Sequence, residues 1–549
     1  MSWDVAIIGG GVVGTAIARE LAGYQLRCVL LESADDVGTG TSKANTAILH
    51  TGFDATPGTL ESRLVARGSA LLRGYAERAG IAVERTGALL VAWTAEQAGS
   101  LDAIAGKARA NGYAGIRSVS AGELYEREPA LGPGAAGGLW VPDEWVIDPW
   151  SVSLAFATEA VRAGAALRLG TRVTGVSRLA DGGFALAVTP GGAPVRCRFA
   201  VNAAGLASDE VDRMFGGDGF TIKPRKGELI VFDKLARPLL SSIILPVPTA
   251  PTKGVLVAPT VFGNVLLGPT AEDVADRTDT ATSAAGLSAL LAAGRRILPA
   301  LGQEEVTAAY AGLRAATEHA DYHVAAYGHY VRVAGIRSTG LTASLGIAEH
   351  VAGLLETAGL PLRPRAGGER AVPRMPYLGE AGRRPYQEAE RIAADPAYGD
   401  IACHCERVTR GELRDALASD IPPTGLDGLR RRTRAMNGRC QAFYCGATVS
   451  ALLGPAELAE AGRRRARLRQ AEPRAAESRE GNSRKAEPWA GERRAAEPRV
   501  AGPAREAGAD PEAGTGRRRG PAQEAGSARN AGRAPEPDPA HETEADRGR

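Results

Sequence analysis

A strand, a glycine turn, a helix, a second strand and an acid follow one another at the N-terminus, and this order constrains the chain more than any other feature. Residues 4–8, Asp-Val-Ala-Ile-Ile, read as a short apolar strand, and Gly9-Gly10-Gly11-Val12-Val13-Gly14 follows at once. Gly9, Gly11 and Gly14 set the spacing G-x-G-x-x-G, and Val13, Ile17 and Leu21 then recur at helical intervals and predict one apolar helix face. A second strand over 27–31 ends on Glu32. Gly9 permits a tight turn, Gly11 lets the backbone approach a pyrophosphate, and Gly14 lets helix and strand pack closely. The helix start offers N–H groups and a positive dipole end to phosphates. Glu32 can accept hydrogen bonds from ribose hydroxyls and would repel a 2′-phosphate. Glycines alone would be weak evidence. All five parts in order predict a dinucleotide-binding βαβ unit.

The 549 residues suffice for several domains. Residues 1–360 mix apolar strands, amphipathic helices and glycine turns and read as one large globular unit. Within it, approximate spans 75–150 and 215–330 form an interleaved second domain. A Pro/Arg/Gly-rich stretch within 361–399 reads as a linker, 400–454 as a small cysteine-bearing module, and 455–549 as a low-complexity tail. That tail has hardly an aliphatic or aromatic residue, so it is expected to be disordered. With 66 basic and 63 acidic residues the net charge is only +3, and no nucleic-acid partner is expected. The chain runs from Met1 almost directly into a strand, without the features of a secretory leader. No apolar run reaches the ~20 residues of a membrane span. A cytoplasmic protein is expected, with peripheral contact at the inner face of a membrane left open.

After Glu32 comes "VGTGTSKANTAILHTGFDATPGTL" (37–60), rich in small polar residues where a nicotinamide-type domain would continue with regular βα units. This loop resembles that of the FAD-dependent oxidoreductases of the D-amino-acid-oxidase type. The resemblance extends over most of residues 1–360, through "VNAAGLASDEV" (201–211), "KPRKGELIVFDK" (223–234), "TKGVLVAPTVFGNVLLGPTAED" (252–273), "AGLRAATEHADYHV" (311–324) and "AGIRSTGLTASLGIAEHVAGLL" (334–355). It implies an α/β fold: a Rossmann-type FAD-binding domain with an interleaved α+β substrate domain. It further implies flavin contacts at Gly9, Gly11, Gly14, Glu32, Thr41, Ser42, Asn45, Ala204, Gly205, Gly335, Gly340, Leu341 and Thr342. Within the superfamily the segments resemble the anaerobic glycerol-3-phosphate dehydrogenase large-subunit type, with L-2-hydroxyglutarate dehydrogenase as a near neighbour. Two places depart from the family pattern. Position 61, often basic, is Glu61, and the closing turn, commonly "SPGLT", reads Ser338-Thr339-Gly340 after Arg337. These bear on the substrate more than on the flavin.

Six cysteines fall into two kinds. Cys28 and Cys197 sit alone in apolar strands and read as small buried hydrophobes. Cys403, Cys405, Cys440 and Cys445 form a C-x-C and a C-x4-C pair. Between them Thr409 and Glu412 form a capping box opening a helix through Leu417, and Thr424 with Asp427 suggests a second helix start. The segment resembles the bacterioferritin-associated-ferredoxin-like [2Fe–2S] domain, which implies these four thiolates as cluster ligands. Four cysteines also suit a structural zinc, although zinc ribbons usually carry C-x2-C pairs. His404 is expected to point out of the turn.

His50, after the apolar "AIL" of the loop expected near the flavin, is the candidate base, since an imidazole exchanges protons near neutral pH. Arg314 in "GLRAAT" is the candidate clamp for an anionic substrate, with Lys253 as a second cation. Together these imply a dehydrogenase that oxidises a small anionic secondary alcohol, such as sn-glycerol 3-phosphate, and passes electrons from flavin to an iron–sulfur cluster. A 2-hydroxy-acid or secondary-amine dehydrogenase, or a flavin/iron–sulfur electron-transfer subunit, remains open. A partner subunit or a quinone would take the electrons.

Overall fold

A computed structural model of the chain describes residues 2–248, 254–365 and 371–454. The expected disordered tail and Lys253 lie outside the described residues.

Two sheets carry the large unit. The first is built on the N-terminal βαβ unit. Strand Trp3–Ile8 lies parallel to Cys28–Leu31 on one side and to Val195–Asn202 on the other. Ala166–Arg168 extends the sheet beyond Cys28–Leu31, and Tyr330–Ala334 joins Val195–Asn202 in parallel. Parallel strands buried on both faces must be apolar throughout, and Val5, Ala6 and Ile7 have no exposed surface. Helix Val12–Leu21 packs against Pro149–Arg162 and Gly340–Thr357. Its Ile17 and Leu21 are fully buried, each contributing roughly 1.5–3 kcal/mol. Cys28 and Cys197 are buried in the same strands, and burial pushes both thiols up to about 12, which leaves them inert packing groups.

The second sheet has nine strands drawn from two separate stretches, 88–141 and 223–316. Its spine is the long antiparallel pair Lys223–Phe232 and Val306–Ala316, and Ala88–Ala92 pairs in parallel with Ile243–Pro246. A main-chain route that leaves and re-enters the first domain explains why this sheet is discontinuous in sequence.

The stretch read as a linker is packed where it is described. Met375 and Leu378 are buried, Arg384 is 3% exposed and pairs with Glu412, and residues Ala389–Ala394 form a helix. Proline and arginine content signalled a linker. The prolines instead route an irregular segment over the surface, and the arginine finds a buried acid. The module that follows is a hairpin, Ile401–Cys403 with Val408–Thr409, and three helices, Arg410–Leu417, Leu426–Thr433 and Gly446–Leu453. The first helix opens on the expected Thr409–Glu412 capping box. The second does not open on Thr424. Gly425 is its N-cap, and the Thr424 hydroxyl donates instead to the Asp35 carbonyl of the nucleotide domain. Tertiary contact outcompeted the local cap.

Candidate flavin cleft and cysteine centre

A cleft of about 1990 Å³ runs from the glycine turn to the second sheet. Gly9, Gly11, Glu32, Thr41, Ser42, Asn45, Ala204, Gly205, Gly335, Gly340 and Leu341 all line it, although they come from four distant segments. At its phosphate end the backbone does the work. Gly9 has φ +105°, and a Cβ there would sit 2.4 Å from the Ala203 carbonyl oxygen. A Cβ on Gly14 would sit 1.8 Å from the Gly9 carbonyl oxygen, so only glycine lets helix and strand cross. The helix begins at Gly11 with no side-chain cap of its own and no acid in its first turn, and its Val12 N–H donates to Ser42 Oγ at 2.9 Å. A helix start kept clear of acids fits a pyrophosphate. Glu32 accepts from the Gly10 N–H at 2.5 Å and the Ala34 N–H at 2.6 Å, and burial raises its carboxyl above the usual range.

Gly14 and Thr342, also expected at the flavin, do not line the cleft. Thr342 is fully buried. Its hydroxyl accepts the His50 N–H at 3.0 Å, so it anchors the loop that carries His50.

At the other end, His50 lines the cleft with Nδ1 2.9 Å from Glu144 Oε2. Glu144 is fully buried, and its second oxygen accepts from the Thr51 N–H at 2.6 Å and hydroxyl at 2.9 Å. A carboxylate so held fixes the imidazole tautomer with a proton on Nδ1 and makes Nε2 the atom that can exchange one. Sequence reading missed Glu144. Its only signal is an acid inside the apolar run "LWVPDEWVI".

Arg314 lines the same cleft from strand Val306–Ala316. Its Nη1 donates to the Thr270 carbonyl at 3.5 Å, and among the described residues no carboxylate pairs with it. Burial, then the neighbouring Arg225, pulls its guanidinium below the ordinary range. Arg314 is half-buried, and a cation partly withdrawn from water without an acid is placed to take its anion from a ligand. Arg225 differs, being paired bidentately with Asp273. The two departures from the family pattern meet across the cleft wall: Arg337 donates to Glu61, and the Thr339 hydroxyl donates to the same carboxylate at 2.8 Å.

In the module, the four cysteines are neighbours, with Cys403 beside Cys445 and Cys405 beside Cys440. Among the described residues no group of three or more His, Cys, Asp or Glu is arranged around a single metal ion. Four neighbouring cysteine sulfurs are the donor set that a two-iron group would take. Burial pushes the Cys440 thiol up, but nearby main-chain N–H groups, that of Tyr444 foremost, and Cys405 hold it below its usual range. Such N–H donors are the groups that stabilise cluster sulfurs. Gln441 and Ala442 take positive φ in the tight turn between Cys440 and Cys445. Cys403 and Cys445 are buried, whereas Cys405 and Cys440 are half-buried and His404 is exposed, as expected.

Residues 4–354 match the model for "FAD dependent oxidoreductase". The chain belongs to this family. Residues 401–454 match the "BFD-like [2Fe-2S] binding domain", so this FAD-dependent oxidoreductase carries a second redox group besides its flavin. It is 33% identical over 458 residues to "Glycerol 3-phosphate dehydrogenase" of Caloramator mitchellensis, covering 82% of this chain and 94% of that one. It is 30% identical to "L-2-hydroxyglutarate dehydrogenase, mitochondrial" of Homo sapiens, over 49% of this chain and 61% of the relative. Among solved structures it resembles dithionite-reduced L-α-glycerophosphate oxidase from Mycoplasma pneumoniae with FAD bound, at TM-score 0.65 and 27% identity, covering 69% of this chain and all of that one. Among the described residues no helix is long and apolar enough to cross a membrane.

Proposed function

We propose that this flavoenzyme oxidises sn-glycerol 3-phosphate to dihydroxyacetone phosphate. The observation that carries the reading is Arg314, a half-buried guanidinium with no acid partner among the described residues, in the same cleft as a carboxylate-oriented histidine. A guanidinium pairs bidentately with a phosphate and fixes the substrate's orientation. Lys253 adds a second positive charge in this reading. His50 Nε2 takes the hydroxyl proton as the carbinol carbon loses its hydride, and Glu144 stabilises the imidazolium that results. Bound FAD supplies the two-electron acceptor, and the cluster accepts electrons one at a time. Cys403, Cys405, Cys440 and Cys445 are the ligands in this reading. The half-buried Cys405–Cys440 edge, with exposed Phe443 and Tyr444 beside it, is where an electron-accepting partner subunit or quinone would approach. The enzyme is read as cytoplasmic, or peripheral at the inner face of a membrane.

Anaerobic addition of glycerol 3-phosphate to the purified protein is expected to bleach the flavin bands and then the cluster absorption. Bleaching by L-2-hydroxyglutarate and not by glycerol 3-phosphate would move the assignment to a hydroxy acid, whose carboxylate Arg314 could also hold. Bands untouched by either compound or by proline-like amines would leave only an electron-transfer subunit.

A further inference from the structure

We propose that Arg431 and Arg432 of the cysteine module act through Asp36 as positioning residues of the flavin site, so that module and flavin each strengthen the binding of the other's cofactor. This rests on the two cofactors and not on the identity of the substrate.

Asp36 belongs to the nucleotide domain and is 2% exposed. One oxygen accepts from Arg431 Nη2 at 2.7 Å and Arg432 Nη1 at 2.6 Å, and the other accepts from Arg432 Nη2 at 2.8 Å and from the Val37 N–H. Both arginines are buried. Two residues on, the Gly38 N–H donates to the Gly10 carbonyl at 2.9 Å, and the Gly10 N–H holds Glu32. The Thr424 hydroxyl grips the Asp35 carbonyl beside it at 2.9 Å. A separate contact runs in parallel. Asp427 lies 3.5 Å from Lys43 Nζ, and the adjacent Ser42 accepts the Val12 N–H at the helix start. Each grip therefore stands one short hydrogen-bonded link from the turn at Gly10–Val12 that receives the pyrophosphate.

A buried carboxylate facing two buried guanidinium groups has no good alternative partner, so removing the module strands the charge and forces the turn 36–38 to move toward water. The turn then no longer holds Gly10. The module in turn gains order from its own metal group, as small metal-holding domains do. Coupling between two binding sites is reciprocal: whatever the docked module adds to flavin affinity, flavin must add to retention of the cluster.

The test uses the full chain with its cluster, with flavin bound or stripped, and follows iron release to a colorimetric chelator. Flavin is expected to slow iron release by about 5-fold or more. In Asp36→Asn that difference should vanish, while flavin affinity, read by fluorescence of the released cofactor, weakens by a similar factor. Arg431→Met leaves the bidentate Arg432–Asp36 pair and should lose part of the coupling; it serves if Asp36→Asn does not fold. A merely structural role would lower the melting temperature of each variant but leave flavin protection of the cluster intact. Equal iron release with and without flavin in the unmodified protein, or full protection retained in either folded variant, overturns the proposal.

Discussion

The two ends of the cleft are built differently. At the phosphate end the working groups are main-chain N–H and carbonyl groups on one continuous stretch, held by glycines whose Cβ atoms would collide with the backbone of neighbouring turns. At the substrate end they are side chains from distant stretches: His50, its partner Glu144 ninety-four residues away, and Arg314 from the second sheet. A backbone-built site depends on local conformation, and at Gly9 and Gly14 it leaves no room for a side chain. A side-chain site depends on how separate strands are laid together, and one exchange of charge changes what it binds.

Gly14→Val strikes the first kind of site and should have the largest effect. With the Gly9 carbonyl oxygen 1.8 Å from the new Cβ, the turn must open at a cost of about 1–3 kcal/mol. The protein is expected to purify without flavin bands, and a normal flavin content would mean that the turn is not rigid. His50→Ala strikes the second kind and should lower kcat by roughly 10²- to 10⁴-fold with flavin content unchanged, measured by anaerobic flavin reduction. Unchanged turnover would remove His50 as the base. Arg314→Gln should raise KM roughly 100-fold and leave kcat within severalfold, because the lost charge-assisted pair with the anion acts on binding. A rise of only severalfold in steady-state KM would end its assignment as the clamp. Glu144→Gln should cost roughly 10-fold in kcat, since it disturbs the orientation of the imidazole and not the proton acceptor itself. An effect as large as that of His50→Ala would mean that the carboxylate does more than orient.

Sequence reading succeeded where the physics is short in range. The glycine spacing, the helix face of Ile17 and Leu21, Glu32 at the end of the second strand and the Thr409–Glu412 cap each depend on residues within a few tens of positions. The paired cysteines were legible because their spacing is itself the signal. Reading failed where a distant contact won. Thr342 looked like a flavin contact but turned its hydroxyl to the His50 loop. Thr424 gave up a helix cap for the Asp35 carbonyl. The stretch 361–399 looked like a linker by composition, yet Leu378 and Arg384 found buried partners. Glu61 and Arg337 each looked like an isolated departure from the family pattern, and only the structure shows them to be one ion pair.

The sequence by itself determined the dinucleotide turn, the apolar strands of the parallel sheet and the C-x-C and C-x4-C motifs, because each is encoded in residues close together in the chain. The tertiary structure alone decided that Glu144 orients His50, that Arg314 is half-buried in the cleft with no acid partner among the described residues, and that Asp36 ties the cysteine module to the nucleotide turn. Those three facts depend on which charges are brought together out of water, and desolvation is a property of the packed chain that no short stretch of residues carries.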